Sequence, residues 1–377
     1  MKICFVSSYP PNRARLSEYA LNLVNALADL DSIDVLYLLA DKTSYPIEPV
    51  IHNPKIKVLR IWKADSISSI FRVMRFIAKI KPDIVHFNVS FQSFGRSKLT
   101  NFVGLSLINL CRRFGFHVLA GVHTLADMAD LEKFNVKPNL LNKVGILVAT
   151  KTVLTAQTVA VLVKGYSEFL RQRYHHKGVI FVPHGATVED PPIDHSKKVI
   201  LLFGHMGPHK GLPVMLEAFK KVRCENNNVR LIVAGTNHPN YPNYLHQFKQ
   251  KCVLGVEYTG YVPHEKLGSV FGEANVVVLP YHAAPGTSGV FHLACGYSRP
   301  IVASDLPEIR ELVNHGASAV LVTPGNVEAL KDALLSVLFD VQLADKMSEQ
   351  NLQFAKKGSW TTVAKAYEDA YFTLLKQ

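Results

Sequence analysis

The feature of this sequence that most constrains its fold is an alternation of short apolar runs with amphipathic stretches. The run Lys2–Ser7 shows little polar–apolar alternation, as expected for a strand buried on both faces. The following stretch Leu16–Leu30 carries its apolar residues at helical spacing. Because strand–helix–strand alternation builds parallel sheets, the pattern predicts an α/β fold.

The alternation occurs twice along the 377 residues, which is enough chain for two domains of about 100–200 residues each. The first half is predicted to hold further strands at Val35–Leu39, Ile56–Ile61, Ile84–Phe87 and His117–Gly121, and helices at Ile67–Ile80 and Gly104–Phe114. The second half is predicted to hold strands at Val199–Phe203, Arg230–Ala234, Val256–Thr259, Val276–Leu279, Ile301–Ala303 and Val320–Val322, and helices at Leu212–Arg223 and Asn243–Lys251.

The polar, proline-bearing stretch Ala186–Lys198 is interpreted as the interdomain linker. We therefore predict an N-terminal domain over residues 1–188 and a C-terminal domain over residues 189–360. Gly145–Val163 is the best candidate for a transmembrane segment, but its Lys151 and its β-branched content favour buried strands instead.

The spacing of the cysteines and the first residues of the chain indicate the cellular compartment. The five cysteines lie far apart with no CxxC pair, and the chain opens directly as a strand without the pattern of a signal peptide. These features predict a cytoplasmic protein without a disulfide framework. Attachment to the inner face of a membrane stays open.

The net charge of +12 is unevenly distributed. Residues 1–180 hold 24 Lys and Arg against 12 Asp and Glu, whereas residues 181–377 hold 18 of each. This asymmetry indicates an anionic partner for the first half, such as a membrane surface, nucleic acid or a phosphorylated substrate; a generally basic surface is the alternative. The basic amphipathic helix at Ile67–Lys81 is either an ordinary sheet-covering helix or a membrane-surface patch.

The loop after the first strand excludes two common enzyme classes. Ser7–Ala14 contains no glycine, so the GxGxxG loop of nicotinamide and flavin enzymes is absent, and the sequence has no GxxxxGK[ST] phosphate loop. The acidic triplet Asp29-Leu30-Asp31 falls at a predicted helix terminus, where carboxylates are ordinary surface residues. We therefore predict no metal site and no cofactor.

Two loops in the second half have the residue types that bind phosphate. Gly204–Gly211 follows a strand and precedes a helix, and it places Lys210 beside a helix start, where a cation and backbone N–H groups suit an anion. Pro285–Val290 contains Gly286, Thr287, Ser288, Gly289 and Val290 before another predicted helix, whose dipole and first amides favour an anion. A glycine-rich turn and a simple capped turn are the alternatives.

These residues resemble the retaining glycosyltransferases of family 4, and the resemblance covers nearly the whole chain. It rests on Lys81-Pro82-Asp83-Ile84-Val85-His86, Val182-Pro183-His184-Gly185, Gly204-His205…Lys210-Gly211, Gly260-Tyr261-Val262-Pro263, Ala294-Cys295-Gly296, Arg299-Pro300-Ile301-Val302-Ala303-Ser304, Gly316…Pro324-Gly325-Asn326 and Ser359-Trp360…Tyr367…Tyr371. The resemblance implies a GT-B fold of two facing Rossmann-like domains. It also implies that the C-terminal helix, about residues 361–377, crosses back to the first domain.

The resemblance also implies roles for single residues. A retaining, metal-independent transfer would use a donor held between the domains, with Lys210 and His205 at its diphosphate. Main chain near Val262 would hold the base, and the amides of residues 286–290 would complete the donor site. His123, at the end of a strand, matches the family histidine near the donor sugar, with positioning or hydrogen bonding as its role; a structural histidine is the alternative.

Three departures from the family pattern qualify these roles. The two glutamates of family members, eight positions apart, fall here on about Ala283 and Phe291, so the backbone amides of Thr287–Val290 are expected to replace their contacts. His205 stands where family members have arginine. The glycine pair after the first strand is replaced by Arg15-Leu16-Ser17, and Arg13 or Arg15 could supply the missing cation; a solvated loop arginine is the alternative.

The sequence thus predicts transfer of a hexose from a nucleotide sugar, with UDP-glucose favoured and GDP-mannose next. The acceptor is expected to be a glycan or a lipid-linked acceptor, with an anionic membrane surface left open as a partner. A non-catalytic sugar-nucleotide-binding partner subunit is a second hypothesis, suggested by the missing glutamates. A nucleic-acid-binding protein ranks last, because no recognition motif accompanies the basic half.

Overall fold

The computed structural model describes residues 1–12, 15–43, 53–125, 127, 128, 137, 139–284 and 286–377; the side chain of Arg15 lies outside the described part. The chain forms two compact units. Unit 1 contains Met1–Gly185 and Trp360–Gln377, and unit 2 contains Ala186–Ser359. The linker predicted at Ala186–Lys198 therefore begins where unit 2 begins.

The described residues of unit 1 form a seven-stranded parallel sheet in the order β3-β2-β1-β4-β5-β6-β7. Its strands are β1 (Lys2–Val6), β2 (Val35–Asp41), β3 (Ile56–Trp62), β4 (Ile84–Val89), β5 (His117–Val122), β6 (Thr158–Val161) and β7 (Val179–Phe181). Its helices are α1 (Arg15–Ala28), α2 (Ile67–Ile80), α3 (Lys98–Arg113), α4 (Leu140–Val153), α5 (Lys164–Tyr174) and the C-terminal α13 (Trp360–Leu375).

Unit 2 has a six-stranded parallel sheet in the order β10-β9-β8-β11-β12-β13. Its strands are β8 (Val199–Phe203), β9 (Arg230–Ala234), β10 (Val256–Gly260), β11 (Val276–Leu279), β12 (Ile301–Ser304) and β13 (Val320–Val322). Its helices are α6 (Leu212–Glu225), α7 (His246–Lys249), α8 (Leu267–Glu273), α9 (Gly289–Gly296), α10 (Pro307–Asn314), α11 (Val327–Phe339) and α12 (Val341–Lys357).

Both sheets reverse their strand order once. In unit 1 the chain moves outward from β1 in one direction and from β4 in the other; in unit 2 the same reversal lies between β8 and β11. Loops at the carboxyl ends of such neighbouring strands diverge to opposite faces of the sheet, which opens a crevice where open α/β sheets bind ligands. The reversal in unit 2 falls between the two strands that precede the predicted phosphate-binding loops.

Helix α13 belongs to unit 1, as the sequence predicts. Its apolar face, including Val363, Tyr367 and Tyr371, is buried in one cluster with residues of α1. The hydroxyls of Tyr19 and Tyr367 lie 3.3 Å apart within this contact. The last residues of the chain therefore complete the core of the unit that the first residues begin.

Three predicted elements differ from the observed ones. The strand interpretation of Gly145–Val163 is wrong for its first part, which lies in α4, and only Thr158–Val161 is a strand. A parallel strand pair needs a crossover connection, so the topology between β5 and β6 overrides local β propensity. Helix α7 spans only His246–Lys249, which is shorter than the predicted Asn243–Lys251.

Helix α3 begins six residues before its predicted start at Gly104. Its polar first turn gives no apolar periodicity, and its entry is held instead by Asp65, whose carboxylate accepts a hydrogen bond from the Ser97 N–H at 2.8 Å. This contact joins residues far apart in the sequence, so it could not be read from local pattern.

Substitution of Gly211 tests how closely the β8 and β11 loops approach. Gly211 has a φ of 69°, and an added Cβ would lie 1.8 Å from the Pro280 carbonyl oxygen. Gly260 has a similar φ of 73° with open space around it. We expect Gly211→Ala to destabilise unit 2 by more than the roughly 1–2 kcal/mol of backbone strain that Gly260→Ala adds. Urea denaturation measures both; equal losses would contradict the close approach.

Candidate functional site

The two phosphate-suited loops of unit 2 lie against each other. The position of a Cβ on Gly204, directly after β8, would be 3.4 Å from Cγ2 of Val290 in the first turn of α9. The His282 N–H, after β11, donates to the His209 carbonyl oxygen at 2.9 Å. Segments about 80 residues apart in the sequence therefore form one surface at the reversal point of the sheet.

A short 3-10 helix, Pro208–Lys210, gives the first loop its shape. The Lys210 N–H donates to the Gly207 carbonyl at 2.9 Å, and Gly211 then adopts the left-handed conformation that starts α6. Because a residue with a side chain at position 211 would collide with Pro280, glycine here is what lets the loop close on its neighbour.

Lys210 projects over an aromatic ring of the other loop. Its Nζ lies 3.7 Å from the ring centroid of Tyr281, which is 2% exposed. A cation over the face of a buried aromatic ring is attracted by the ring quadrupole, typically by about 0.5–2 kcal/mol. The half-buried ammonium is thus held at the reversal point. Sequence reasoning missed Tyr281, because no spacing rule links a strand-end tyrosine to a lysine 71 positions earlier.

The second loop leads into α9 as the sequence predicts. Ser288 is the N-cap residue, and its side chain accepts a hydrogen bond from the Phe291 N–H at 3.4 Å. Thr287 Oγ1 lies 3.0 Å from Nε2 of His292, one turn into the helix. The helix begins at Gly289, so the amides of Gly289 and Val290 belong to a first turn, whose N–H groups have no partner within a helix.

The positions where the resembled family holds glutamates are filled by apolar side chains. Ala283 is 7% exposed, and Phe291 is fully buried in the core of unit 2. A carboxylate at Phe291 would be desolvated in this environment. Polar contacts at this part of the surface are therefore left to the Thr287–Val290 segment and to main-chain groups.

The remaining predicted donor residues of unit 2 follow three different strands of its sheet, β8, β10 and β11. Half-buried His205 lies between β8 and the 3-10 helix, and Val262, 7% exposed, follows β10. Gly286 begins the described segment that leads to α9. Arg15 begins α1 of unit 1, and its side chain is outside the described residues, so its predicted phosphate contact stays a prediction.

In unit 1, His123 joins a buried hydrogen-bonded chain across three strand ends. Its Nε2 lies 2.6 Å from Asn88 Oδ1 in β4, and the Asn88 amide donates to Ser7 Oγ after β1 at 2.9 Å. With the Asn88 oxygen facing it, Nε2 carries the imidazole proton and Nδ1 is an acceptor. Asn88 was missed by sequence reasoning, although a polar residue near the end of the apolar strand β4 is a usable signal.

The Tyr19 ring packs against His123, and burial keeps the imidazole neutral. The Tyr19 ring meets the His123 ring edge-on at 4.3 Å between centroids, and it also contacts His184 and Trp360. Burial, with smaller contributions from His184 and His86, lowers the pKa of His123 to about 3. A neutral imidazole can accept or donate hydrogen bonds near pH 7 but cannot deliver a positive charge.

His86 lies in the interior beside this network. It is fully buried, its ring stacks near Phe5 and Tyr367, and its Nδ1 lies 2.7 Å from the Tyr371 hydroxyl. Burial lowers the pKa of His86 to about 3. These contacts link β4 to α13 and are those of a core residue.

Asn88→Asp tests the His123 contact. A carboxylate 2.6 Å from Nε2 favours the imidazolium, so the pKa of His123 should rise from about 3, by roughly 1–3. An NMR titration of the histidine Cε1 protons measures this rise. Asn326→Asp adds the same charge at the N-cap of α11 in unit 2 and is the matched control. An unchanged His123 titration in Asn88→Asp would refute the contact.

Each of the two parallel sheets reverses its strand order once, and the C-terminal helix belongs to the first unit. These features define the class of fold: the chain has the GT-B fold. Residues 197–340 match the family model described as glycosyl transferases group 1. The match lies within unit 2, and this part of the chain is similar to the glycosyltransferase family that the sequence resembles.

Three similar proteins document the match. The D-inositol 3-phosphate glycosyltransferase of Corynebacterium glutamicum is 27% identical over 186 residues, which cover 46% of this chain and 43% of that protein. Sucrose-phosphate synthase from Thermosynechococcus elongatus superimposes with a TM-score of 0.77 at 19% identity, covering 99% of both chains. HepE from Anabaena, solved with UDP-glucose, has a TM-score of 0.73 at 15% identity and covers 99% of this chain and 100% of its own. The chain spans about half the length of the curated relatives it matches.

Within the described part of the chain, no group of three or more His, Cys, Asp or Glu side chains is arranged to hold a metal ion. The helices of the described residues are all too short or too polar to cross a bilayer.

Proposed function

We propose that the protein is a retaining glycosyltransferase that moves a hexose from a nucleotide sugar to a glycan or lipid-linked acceptor. The observation that carries the proposal is the juxtaposition, in unit 2, of the Lys210 ammonium with the first turn of α9 at the sheet reversal. Both groups suit the diphosphate of a donor.

The chemistry of the proposed step explains why these groups would matter. When the sugar leaves, negative charge builds up on the departing nucleoside diphosphate. A fixed cation and oriented N–H groups stabilise that charge more in the transition state than in the ground state, which is what lowers a barrier. Lys210 and the amides of Ser288–Val290 would therefore perform the charge stabilisation without a metal ion.

His123 is proposed to position the donor sugar. Its pKa of about 3 keeps it neutral, and the Asn88 contact leaves Nδ1 as the acceptor atom. A hydroxyl group of a sugar can donate to such a nitrogen. This role is positioning through a hydrogen bond, and it does not require His123 to act as a general base.

UDP-glucose is the favoured donor, because HepE, whose fold resembles this chain along its whole length, was solved with UDP-glucose. GDP-mannose is the alternative donor. A non-catalytic sugar-nucleotide-binding subunit is the alternative function, and it is favoured by the apolar residues at Ala283 and Phe291. A cytoplasmic location at an anionic membrane surface remains part of the proposal.

A thermal-shift screen against UDP, GDP and ADP sugars tests the donor. A ligand that binds only the folded protein stabilises it by RT ln(1 + [L]/Kd), about 2.7 kcal/mol at a hundredfold excess over Kd. We expect UDP-glucose to raise the unfolding temperature more than GDP-mannose at equal concentration. If only GDP-mannose raises the unfolding temperature, it replaces UDP-glucose as the proposed donor. If none of the nucleotide sugars raises the unfolding temperature, the proposed function is contradicted.

Lys210→Ala tests the proposed diphosphate contact. A hydrogen bond to a charged group contributes about 1.5–3 kcal/mol, so UDP affinity should fall roughly 10- to 150-fold, and the slow release of UDP from UDP-glucose should fall with it. Lys249→Ala is the matched control, because Lys249 also lies over a tyrosine ring of unit 2, 5.6 Å from the centroid of Tyr258.

The two readouts separate the hypotheses. UDP binding that weakens in Lys210→Ala, together with donor hydrolysis by the wild type, supports an enzyme. UDP binding without hydrolysis or transfer to any acceptor supports the non-catalytic subunit. Equal effects of Lys210→Ala and Lys249→Ala would show that the lysine acts only through packing.

A further inference from the structure

Three consecutive helices of unit 1 carry no carboxylate. Helices α2, α3 and α4 together contain eight Lys and Arg residues and no Asp or Glu. A solvated helix surface normally mixes both signs, because interspersed charges reduce repulsion and support pairs along the helix. The one-sided composition of all three helices therefore needs a physical explanation.

The same helices expose large apolar side chains. The exposed fractions are 78% for Leu140, 77% for Leu141, 47% for Val144 and 40% for Val148 in α4. In α3 and α2, Leu99, Phe102 and Phe71 are 60%, 42% and 50% exposed. Single exposed apolar residues are ordinary, but a contiguous set indicates an interaction surface.

One groove brings together two of these exposed side chains, Phe71 of α2 and Val148 of α4. It has a volume of about 590 Å³, runs where α2, α3 and α4 meet, and is lined by Phe71 and Val148 as well as by Leu107 and Leu110. Residues Leu140, Val144 and Val148 are four apart along α4, so they form a stripe on one side of that helix. The Lys98 Nζ bonds Asn142 Oδ1 at 2.7 Å and fixes the start of α3 to α4.

Cations border this apolar surface on α2. Arg72, Arg75 and Lys79 line, together with Lys42 and Arg60, a concavity of about 540 Å³. Arg60 donates to the carbonyl oxygens of Asp41 and Pro10 and interacts with the Asp41 carboxylate, so the concavity still carries more positive than negative charge and attracts anions. The carboxylate of Asp65, at the entry to α2, is engaged elsewhere: it accepts hydrogen bonds from the N–H groups of Arg96 and Ser97 at 3.1 and 2.8 Å.

We propose that α2, α3 and α4 form a docking surface for an anionic lipid bilayer. Exposed leucine, valine and phenylalanine side chains would enter the boundary of the acyl chains, while the arginine and lysine residues would bind lipid phosphates. A second copy of the chain fits less well, because the three helices of each copy carry eight cations and no carboxylate and would repel each other. The inference does not depend on the transferase activity, although it suits a lipid-linked acceptor.

Vesicle co-sedimentation of the full chain tests the surface. The probes are phosphatidylcholine vesicles with and without phosphatidylglycerol, at low and high salt. We expect binding to the anionic vesicles at low salt, and loss of that binding at high salt or without the anionic lipid. Arg72→Gln with Arg75→Gln should weaken binding about 25-fold, since each cation near an anionic surface contributes roughly fivefold.

Leu140→Ser with Val144→Ser tests the apolar part and should also lower vesicle binding severalfold. Both positions are exposed, so the substitutions should leave folding intact. The matched controls lie in unit 2: Leu254→Ser, at a position 78% exposed, and Lys356→Gln with Lys357→Gln on α12. Both controls should bind vesicles like the wild type.

Three results would overturn the proposal: no vesicle binding at low salt, equal binding to neutral and anionic vesicles, or equal effects of the surface and control variants. Self-association in analytical ultracentrifugation that is lost in Leu140→Ser with Val144→Ser, without vesicle binding, would assign the surface to a second copy instead. Lys210→Ala should keep vesicle binding, so failure of this inference and failure of the proposed transferase are distinguishable.

Discussion

The contact between the loop after β8 and the loop after β11 is the constraint on which the candidate site of unit 2 depends. It exists because β8 and β11 are neighbours at the reversal of the sheet, and because Gly211 lacks a side chain that would collide with the Pro280 carbonyl. The same approach brings Lys210 over Tyr281 and places the first turn of α9 beside Gly204. The backbone geometry of these two loops therefore determines where the Lys210 ammonium and the first turn of α9 lie.

The two units use their sheet reversals differently. In unit 2 the reversal collects a cation and a helix N-terminus, a combination suited to an anion. In unit 1 the strand ends collect neutral polar groups, Ser7, Asn88 and His123, inside an aromatic enclosure. The N-terminal charge excess lies elsewhere in that unit, with eight of its cations on α2, α3 and α4. The positive charge of the first half is therefore carried by surface helices, and the His123 network does not contribute to it.

Apolar periodicity was sufficient to predict most of the fold. Helix α2 begins and ends where its amphipathic pattern does, and the short buried strands of both sheets were found because a run of β-branched residues between turn signals has few alternatives. The prediction was wrong where contacts between distant residues determine the type or the start of an element. The part of α4 from Gly145 onward was interpreted as strand because of its β-branched residues, and the start of α3 depends on Asp65, about 30 residues away.

The sequence by itself determined the α/β class, the two loops with phosphate-suited residues and the family resemblance, because each of these depends on local composition and spacing. Only the tertiary structure decided which residues meet: Lys210 with Tyr281, His123 with Asn88, and Phe71 of α2 with Val148 of α4 in one groove. Such pairs are set by strand order and helix packing, and neighbouring positions along the chain carry no signal of them.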